Sequence, residues 1–415
     1  MQKIKIGITG ICFLLFLWGN ICLAGEIEIT GNISHNLVYL LKGERLSQNT
    51  TQYQLSLKKD SPWGEGKMYL SFKGGYDSIG GKNIEPIELD EVYGDIYLEN
   101  TDLRIGRQVV SWGTADGINP TNYINPKEIS LVESELKGKP LACLQATHYS
   151  KIGDISGVVV FDYQPQEIPE ELETALGQTI PGFEEFPELP EPEKTLKNME
   201  FALKVEKIIA GWDVKLSYFY GWEDYPALWI ELEPGFPPQF QFKSQYQRVN
   251  KIGLATAGSF KKMGLWSEAA YIMPEEIEEM QQANTLFSMN EPYLQVVLGA
   301  DYTFKGVYCE GQYIYYGNGS LINPYLQHQP GEKITAGNYF MTQLSYKINQ
   351  IHNLKLGGIA NLQDSSYTLM PQYTCALNEV TDLSLRVVLF YGEEETEFGM
   401  WEDKELIDIG IKVSF

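Results

Sequence analysis

The chain contains few of the residues that build metal centres and disulfide frameworks. Its 415 residues include five cysteines and four histidines, and no C-x-x-C pair occurs. Three cysteines lie beyond the amino-terminal region, at Cys143, Cys309 and Cys375. Because an odd and widely spaced set is no disulfide framework, we interpret these residues as small side chains that are buried or face lipid. The sequence therefore predicts no metal site and no cofactor.

Long apolar runs are equally scarce. One stands at the amino terminus, where residues 11–18 follow Lys3 and Lys5 and precede the small residues that signal peptidases recognise. This order predicts a signal peptide over residues 1–24, cleaved after Ala24, and hence export from the cytoplasm. No later run reaches the roughly 18 apolar residues that a transmembrane helix needs, so none is predicted.

Positive charge is in deficit. The chain has 32 lysines and arginines against 55 acids, a net charge of −23. The predicted signal peptide holds two lysines and no acid, so the mature chain would carry 30 bases against 55 acids, or −25. Such acidity argues against nucleic acid as a partner. It suits a halotolerant surface, a cation-favouring pore or loops that hold divalent ions.

The chain is rich in short stretches where apolar and polar residues alternate. Aromatic residues make up 13% of it, and the 26 tyrosines outnumber the 18 phenylalanines. Side chains of a strand point alternately to its two faces, so alternation predicts strands with one apolar and one wet face. Eighteen runs read as strands: 26–41, 51–59, 66–77, 88–98, 102–110, 141–149, 153–163, 198–207, 211–221, 246–260, 264–273, 293–304, 306–316, 338–348, 352–362, 365–376, 382–392 and 405–415.

The gaps between these runs alternate in length. They are short after the even-numbered runs and long after most odd-numbered ones. Short turns at one rim and long loops at the other are typical of transmembrane barrels. We predict that residues 25–415 form an all-β, transmembrane antiparallel up-and-down β-barrel of about 18 strands, with 16 as the alternative. The short turns would face the periplasm and the long loops the exterior.

The last run, residues 405–415, places five apolar side chains on one face and ends on Phe415. A terminal aromatic residue resembles the last strand of bacterial outer-membrane barrels, where the barrel-assembly machinery reads it. The resemblance implies location in the outer membrane, surrounded by lipid. Because a membrane barrel has no open edge, we expect this strand to pair with the first one.

One long loop, residues 164–197, is unusually acidic. It holds nine glutamates and, counting Pro165, six prolines, with no basic residue before Lys194. Proline and like charge oppose a strand or a packed core, so we predict an exposed extracellular loop. Two roles remain open. The loop is either a divalent-cation clamp or lid over a pore, or a solvated surface segment.

A second stretch, residues 103–126, combines arginines with Gly, Asn and Pro. Its Gly, Asn and Pro residues favour turns over a strand. A loop of this size could fold inward and narrow a channel, and lumen-facing arginines opposite acids would orient charged solutes there. The alternative is that the arginines bridge lumen acids for stability. The residues predicted to line the pore or form its constriction are Arg104, Arg107, Gln108, Trp112, Asp116, Asn119 and Asn125.

The segment R-x-G-R-Q-x-x-x-W-G, followed by D-G-I-N-P and I-N-P, resembles a motif of alginate-export-type outer-membrane channels. The matching positions are Arg104, Gly106, Arg107, Gln108, Trp112, Gly113, Asp116, Gly117, Asn119, Pro120, Asn125 and Pro126. The resemblance covers about 25 residues. It implies an 18-stranded conduit whose arginine-lined pore passes an anionic polysaccharide. The acidity of this chain departs from that pattern.

These features predict a porin or channel for passive diffusion or export of small polar or charged solutes, with saccharides among the candidates. The alternative is a non-conducting structural or adhesive barrel that binds envelope polymers or divalent cations. We expect no enzyme, because His328 is the one histidine in a predicted outer loop and no nucleophile motif surrounds it. The barrel would be a monomer or a trimer.

Overall fold

Eighteen antiparallel strands close into a single barrel in a computed structural model of the protein. The structure describes ten ranges: 26–61, 64–79, 86–128, 137–166, 191–233, 239–277, 284–287, 291–317, 319–321 and 335–415. The predicted signal peptide, most of the acidic loop and His328 lie outside these ranges. No helix in the described part of the chain is long and apolar enough to cross a membrane.

We number the barrel strands in chain order. They are β1 (Glu28–Leu40), β2 (Arg45–Asp60), β3 (Gly66–Asp77), β4 (Glu88–Leu98), β5 (Thr101–Gln108), β6 (Leu141–His148), β7 (Asp154–Val160), β8 (Glu200–Ile209), β9 (Trp212–Trp222), β10 (Arg248–Phe260), β11 (Met263–Pro274), β12 (Tyr293–Phe304), β13 (Val307–Tyr316), β14 (Gly337–Lys347), β15 (His352–Asn361), β16 (Tyr367–Asn378), β17 (Thr381–Tyr391) and β18 (Leu406–Ser414). Each corresponds to one of the eighteen predicted runs.

The barrel closes where its first and last strands meet. Strand β18 pairs antiparallel with β1 from Asn32 opposite Ser414 to Leu40 opposite Leu406. The backbone of Phe415 adds two more hydrogen bonds, because its carbonyl accepts from Gly31 and its amide donates back to Gly31. The predicted count of 18 and the predicted pairing of the end strands are both confirmed. Closure leaves no strand edge unpaired.

The outer face of the barrel is apolar. In β18, Ile409 and Val413 point outward and are 47% and 39% exposed, whereas Asp408 points inward and is 1% exposed. The same alternation gives the other strands exposed leucines, isoleucines and aromatic side chains on the outside. In water such a continuous apolar belt would be unstable, but a lipid bilayer requires it around a barrel.

The two rims differ as predicted. At the short-turn rim, β8–β9, β10–β11 and β12–β13 are joined by two residues each. The turn residues Ala210, Lys261 and Lys305 adopt left-handed conformations, with φ of 52°, 59° and 49°. Turns of this hand match the twist of the flanking strands and so permit tight hairpins.

At the opposite, long-loop rim the sequence analysis missed additional β-structure. Strands Ala227–Glu233, Gln239–Gln245 and Asn284–Phe287 form a separate three-stranded sheet. Two of these strands come from the gap after β9 and one from the gap after β11. They were interpreted as loop because they lie within the long gaps between predicted runs, although residues 239–242 alternate between Gln and Phe.

Candidate pore constriction

The segment after β5 folds into the barrel instead of remaining at the rim. We call residues 109–126 the crossing loop. Its Tyr123 hydroxyl donates to Ser217 Oγ on β9 at 2.6 Å, and the carbonyl of Asp116 accepts from Gln312 Nε2 on β13 at 2.8 Å. Because β9 and β13 lie four and eight strands beyond β5, the loop extends across the lumen to the far wall.

A single carboxylate on that wall holds the crossing loop. Glu268 on β11 is 1% exposed and accepts five hydrogen bonds from the loop. Its Oε1 accepts from the amide and hydroxyl of Thr114 and from the amide of Ala115, and its Oε2 accepts from the amide and hydroxyl of Thr121. A buried charge is tolerated where donors surround it, so this contact fixes the loop's position.

Asparagine side chains fold the crossing loop on itself. Asn125 Oδ1 accepts from the amide of Val110 at 2.8 Å, and its Nδ2 donates to the carbonyl of Lys139 at 2.6 Å. Asn119 both donates to the carbonyl of Ala115 and accepts from its amide. Gly113 packs so closely on Asn119 that a Cβ atom would collide with its amide group. The Gly and Asn positions of the motif therefore build the loop.

Apolar side chains of the crossing loop pack against the inner wall of the barrel. Trp112 and Tyr123, 3% and 7% exposed, join a cluster that includes inward residues of β6 to β11. The ammonium group of Lys204 on β8 lies 5.6 Å from the centroid of the Trp112 ring. This packing fills one side of the lumen and leaves the loop little freedom to move.

A second segment folds inward from the other side of the barrel. We call residues 392–405, between β17 and β18, the final loop. Its Glu397, 6% exposed, accepts from Tyr339 Oη at 2.7 Å, Asn361 Nδ2 at 2.8 Å and the Leu321 amide at 3.0 Å, and also from the Ser320 hydroxyl. Here the final loop supplies the acid, and the donors come from β14, from β15 and from residues 320–321 between β13 and β14.

The two loops meet inside the barrel. Ala115 of the crossing loop and Phe398 and Trp401 of the final loop belong to one buried apolar cluster. That cluster also contains inward side chains of β1, β12, β13, β14, β17 and β18. The constriction is therefore built from two loops that share a core, a feature absent from the sequence-based prediction.

Strands β2 to β5 are lined differently. In the part of the chain that the structure describes, neither apolar cluster includes a residue of these four strands. Their inward side chains are polar or charged, and several remain partly exposed, such as Lys73 (31%) and Arg104 (36%). We call this surface the polar wall. Its inward residues include Gln52, Gln54, Ser56, Tyr69, Ser71, Lys73, Asp90, Tyr93, Asp95 and Arg104.

Arg104 lies on the polar wall in a fixed position. Its guanidinium donates to both carboxylate oxygens of Asp95, at 2.6 and 3.0 Å. The guanidinium carbon also lies 4.0 Å from the centroid of Tyr93, whose ring stacks on Tyr69 at 4.9 Å. A bidentate pair with a stacked ring holds an arginine in one orientation. The charge of Arg104 is thus balanced locally by Asp95.

Arg107 lies on the opposite face of β5. The register places it beside Val92 and Ala142, whereas Arg104 lies beside Asp95 and Gln145. Its Nε donates to the carbonyl of Asp90 at 3.0 Å. The two arginines of the motif therefore do not act on one surface.

A second ion pair lies on the polar wall, and a third lies near it on β17 and β18. Lys73 lies 3.4 Å from Asp90, and Arg386 on β17 lies 3.5 Å from Asp408. Asp408 also accepts from Asn36 Nδ2 at 2.9 Å. Because the acid and the base of each pair lie on neighbouring strands, the pair stabilises the contact between those strands. It also reduces the net charge of the lumen at that position.

The predicted site residues separate into two groups. Asp116 is exposed and Arg104 half-buried, so solvent reaches both. Gln108, Trp112 and Asn125 are 0%, 3% and 3% exposed and hold the loop in place. The prediction that all seven residues line a pore stays a prediction.

Sequence reasoning missed Glu268, Asp95 and Glu397. One signal could have revealed the first: Glu268 is the lone charged residue in the otherwise uncharged strand Met263–Pro274. No comparable signal marked Glu397, which ends an acidic run that resembles a solvated loop. Among the described residues, no group of three or more His, Cys, Asp and Glu side chains is arranged to hold a metal ion.

A charged layer ties the crossing loop to the long-loop rim. Lys251 Nζ on β10 lies 3.1 Å from Glu223 Oε2. The backbone amide of Gln166 donates to the carbonyl of Asp224, and its side-chain Oε1 accepts from the backbone amide of Lys127. Burial raises the pKa of Asp224 to about 6, an effect that Lys251 and Lys127 oppose and Glu223 reinforces. Burial likewise lowers the pKa of Lys127.

The arrangement defines a class of protein: a closed antiparallel barrel of 18 strands with two loops folded into its lumen. Among solved structures, it is similar to OccK5 (OpdH) of Pseudomonas aeruginosa, with 9% identity and a TM-score of 0.52 over 94% of this chain and 97% of that one. A mutant of the Rhodopseudomonas blastica porin aligns over 94% of this chain and 100% of that one, with 12% identity and a TM-score of 0.43. The first likeness supports the fold. No protein-family model and no curated protein matches the sequence.

Proposed function

We propose that the protein is an outer-membrane channel for the passive passage of small polar or charged solutes. The polar wall carries this proposal. It leaves a hydrophilic strip along β2 to β5 that neither inward loop's apolar cluster covers, inside a barrel whose outside is apolar. Barrels of this strand number are wide enough to leave an aqueous lumen.

Selectivity would arise where the crossing loop and the final loop fold into the lumen. Asp116 is exposed on the loop, and Arg104 faces the lumen with its charge balanced by Asp95. Asp301 and Glu310 lie inward on β12 and β13, next to the loop's contact with Gln312. We therefore propose a preference for cations, set by fixed charge and width without chemistry on the solute.

The resemblance to alginate-export-type channels raises the question of whether this barrel passes an anionic polysaccharide. An anionic polysaccharide would need unpaired arginines along its path, and Arg104 and Arg386 are each paired with an acid. Neutral saccharides and cationic solutes suit these paired walls better. We propose that the barrel is a monomer or a trimer.

Single-channel recording in a planar lipid bilayer tests the proposal. We expect discrete conductance steps from the refolded barrel, and a reversal potential in a salt gradient that indicates preference for cations. Absence of steps at every voltage, from a barrel that shows heat-modifiable migration, would overturn the channel. It would favour a non-conducting surface barrel that binds envelope polymers or divalent cations.

A further inference from the structure

An apolar groove runs along the outside of β10 to β14. It has a volume of about 400 Å³. Small side chains form its floor and larger ones its edges, so it is a depression in the apolar belt. A second depression of about 380 Å³ lies farther round the barrel, on the outside of β13 to β17. The lining residues include Thr256, Ser267, Leu298, Ala300, Gly311 and Phe340.

Basic residues border this groove at the short-turn rim. The consecutive hairpins β10–β11, β12–β13 and β14–β15 carry Lys261, Lys262, Lys305 and Lys347 at or next to their turns, and none of these turns contains an acid. The whole chain has a net charge of −23, so three successive turns that carry bases and no acids differ from the acidic average of the chain. They form a local positive border on an acidic protein.

Two of these turns share one arrangement. The Lys261 ammonium lies 5.3 Å from the ring centroid of Phe260, and the Lys305 ammonium lies 5.4 Å from that of Phe304. Both rings face outward and are 58% and 57% exposed. An aromatic ring at the membrane interface with a cation above it lies at the level of lipid headgroups.

The distance between groove and border fits one lipid leaflet. Thr256 and Ala300 each precede the turn-flanking Phe260 and Phe304 by four residues, or about 13 Å of strand, which at a barrel tilt of about 40° spans about 10 Å of membrane depth. The hydrocarbon core of a bilayer is about 30 Å thick, so one leaflet contributes about 15 Å. A headgroup at the lysines would therefore place its acyl chain in the groove.

We infer that this surface binds an anionic phospholipid of the periplasmic leaflet, with its phosphate at Lys261, Lys262 and Lys305 and an acyl chain in the groove. Charge complementarity favours a lipid over a second copy of the chain, because a twofold contact at this face would bring the two sets of lysines together. The inference rests on the proposed placement in the outer membrane.

Native mass spectrometry of the detergent-solubilised barrel tests the site. Phosphatidylglycerol and phosphatidylcholine with identical acyl chains are titrated against the wild type. We compare Lys261→Gln/Lys262→Gln/Lys305→Gln with the control Lys42→Gln/Lys151→Gln/Lys197→Gln, which removes three exposed lysines away from the groove. The first variant should lose its preference for phosphatidylglycerol by about fivefold for each lysine that contacts phosphate.

A second variant tests the groove itself. Ala300→Phe fills the depression while leaving the outer face apolar, and it should lower binding of both lipids. Equal affinity of the wild type for the two lipids, or an equal loss of preference in the control variant, would overturn the site. An oligomer that Ala300→Phe dissociates, with lipid binding unchanged, would assign the groove to a second copy and also overturn it.

Conductance separates this inference from the proposed function. The lysine variant should conduct like the wild type, because its substitutions lie outside the lumen. A barrel that binds phosphatidylglycerol selectively but carries no current would remove the channel and leave the lipid site. A conducting barrel without lipid preference would remove the lipid site and leave the channel.

Discussion

The crossing loop and the final loop are both held inside the barrel, but the anchoring acid lies on the wall for one and on the loop for the other. Each brings backbone into a barrel that could otherwise be open, and each is held by one buried carboxylate. For the crossing loop the acid is Glu268 on the wall, and loop amides and hydroxyls donate to it. For the final loop the acid is Glu397 on the loop, and Tyr339 and Asn361 on the wall donate.

The two arrangements differ in how far each loop depends on side-chain hydrogen bonds to stay in place. Three of the five donors to Glu268 are backbone amides, which no substitution in the loop other than proline can remove. Among the donors to Glu397 one is a backbone amide and the others are side chains. The final loop depends more on packing, since Phe398 and Trp401 are 1% and 8% exposed in the shared apolar cluster.

The largest expected effect comes from Glu268→Ala. Hydrogen bonds to a charged group each contribute about 1.5–3 kcal/mol, so losing the equivalent of two would raise the undocked population roughly a hundredfold or more. We expect larger single-channel conductance, weaker ion preference and faster proteolysis within residues 109–126. The control is Glu402→Ala, which removes an exposed acid from the final loop. Unchanged conductance in Glu268→Ala would show that the crossing loop does not limit the pore.

A smaller increase in conductance is expected for Glu397→Ala, because the apolar packing of Phe398 and Trp401 remains. The measurement is again single-channel conductance, with Glu402→Ala as control. The double variant Glu268→Ala/Glu397→Ala sharpens the comparison. Since the two loops share a cluster through Ala115, their effects should not add. Strict additivity in the logarithm of conductance would mean that the loops act independently.

The third effect concerns charge and leaves the loops in place. Arg104→Ala frees Asp95, so the reversal potential in a salt gradient should move toward stronger cation preference. Arg107→Ala is the matched control, since it removes the same charge from the opposite face of β5. Equal shifts from the two variants would contradict the assignment of Arg104 to the lumen and Arg107 away from it.

The smallest effect is a pH dependence on the side of the crossing loop. The pKa of Asp224 is raised from 3.8 to about 6, so its contribution to docking is present below about pH 4 and is lost as the pH rises through 6. The charged groups facing it are Lys251, Glu223 and Lys127. Proteolysis of the outer loops should be slower at pH 4 than at pH 7.

Asp224→Asn is the test of that dependence. It should reduce the pH dependence of the outer-loop proteolysis while leaving the final loop's profile as in the wild type. Part of the dependence should remain, because the buried carboxyl of Glu200 also interacts with Asp224. A wild-type profile that is flat between pH 4 and pH 7, or one that is undiminished in Asp224→Asn, would assign the dependence to another group.

The strands were predictable because their signal is local. Alternation in residues 383–391 or 407–413 reports which side chains face out, whatever lies elsewhere in the chain. The sequence analysis also raised the possibility that the crossing loop folds inward, on the basis of its size. What could not be foreseen was its anchor, because Glu268 carries no local pattern that links it to Thr114, 154 positions earlier.

The two motif arginines show the same limit. Their spacing placed them on opposite faces of an ideal strand, and the register of β5 agrees. The sequence did not reveal that Arg104 is neutralised by Asp95, since that contact depends on which residue of β4 lies beside it. A shift of one residue would have put Asp95 on the outer face.

By itself, the sequence determined the number of strands, their inward and outward faces, the lengths at the two rims and the closure of the last strand on the first. These follow from a period of two residues and from the lengths of gaps, both of which are local. The tertiary structure alone decided which loops enter the lumen, how they meet at Ala115, and which wall stays polar. Those outcomes depend on contacts such as Thr121 with Glu268, which exist only after the barrel has closed and brought distant strands face to face.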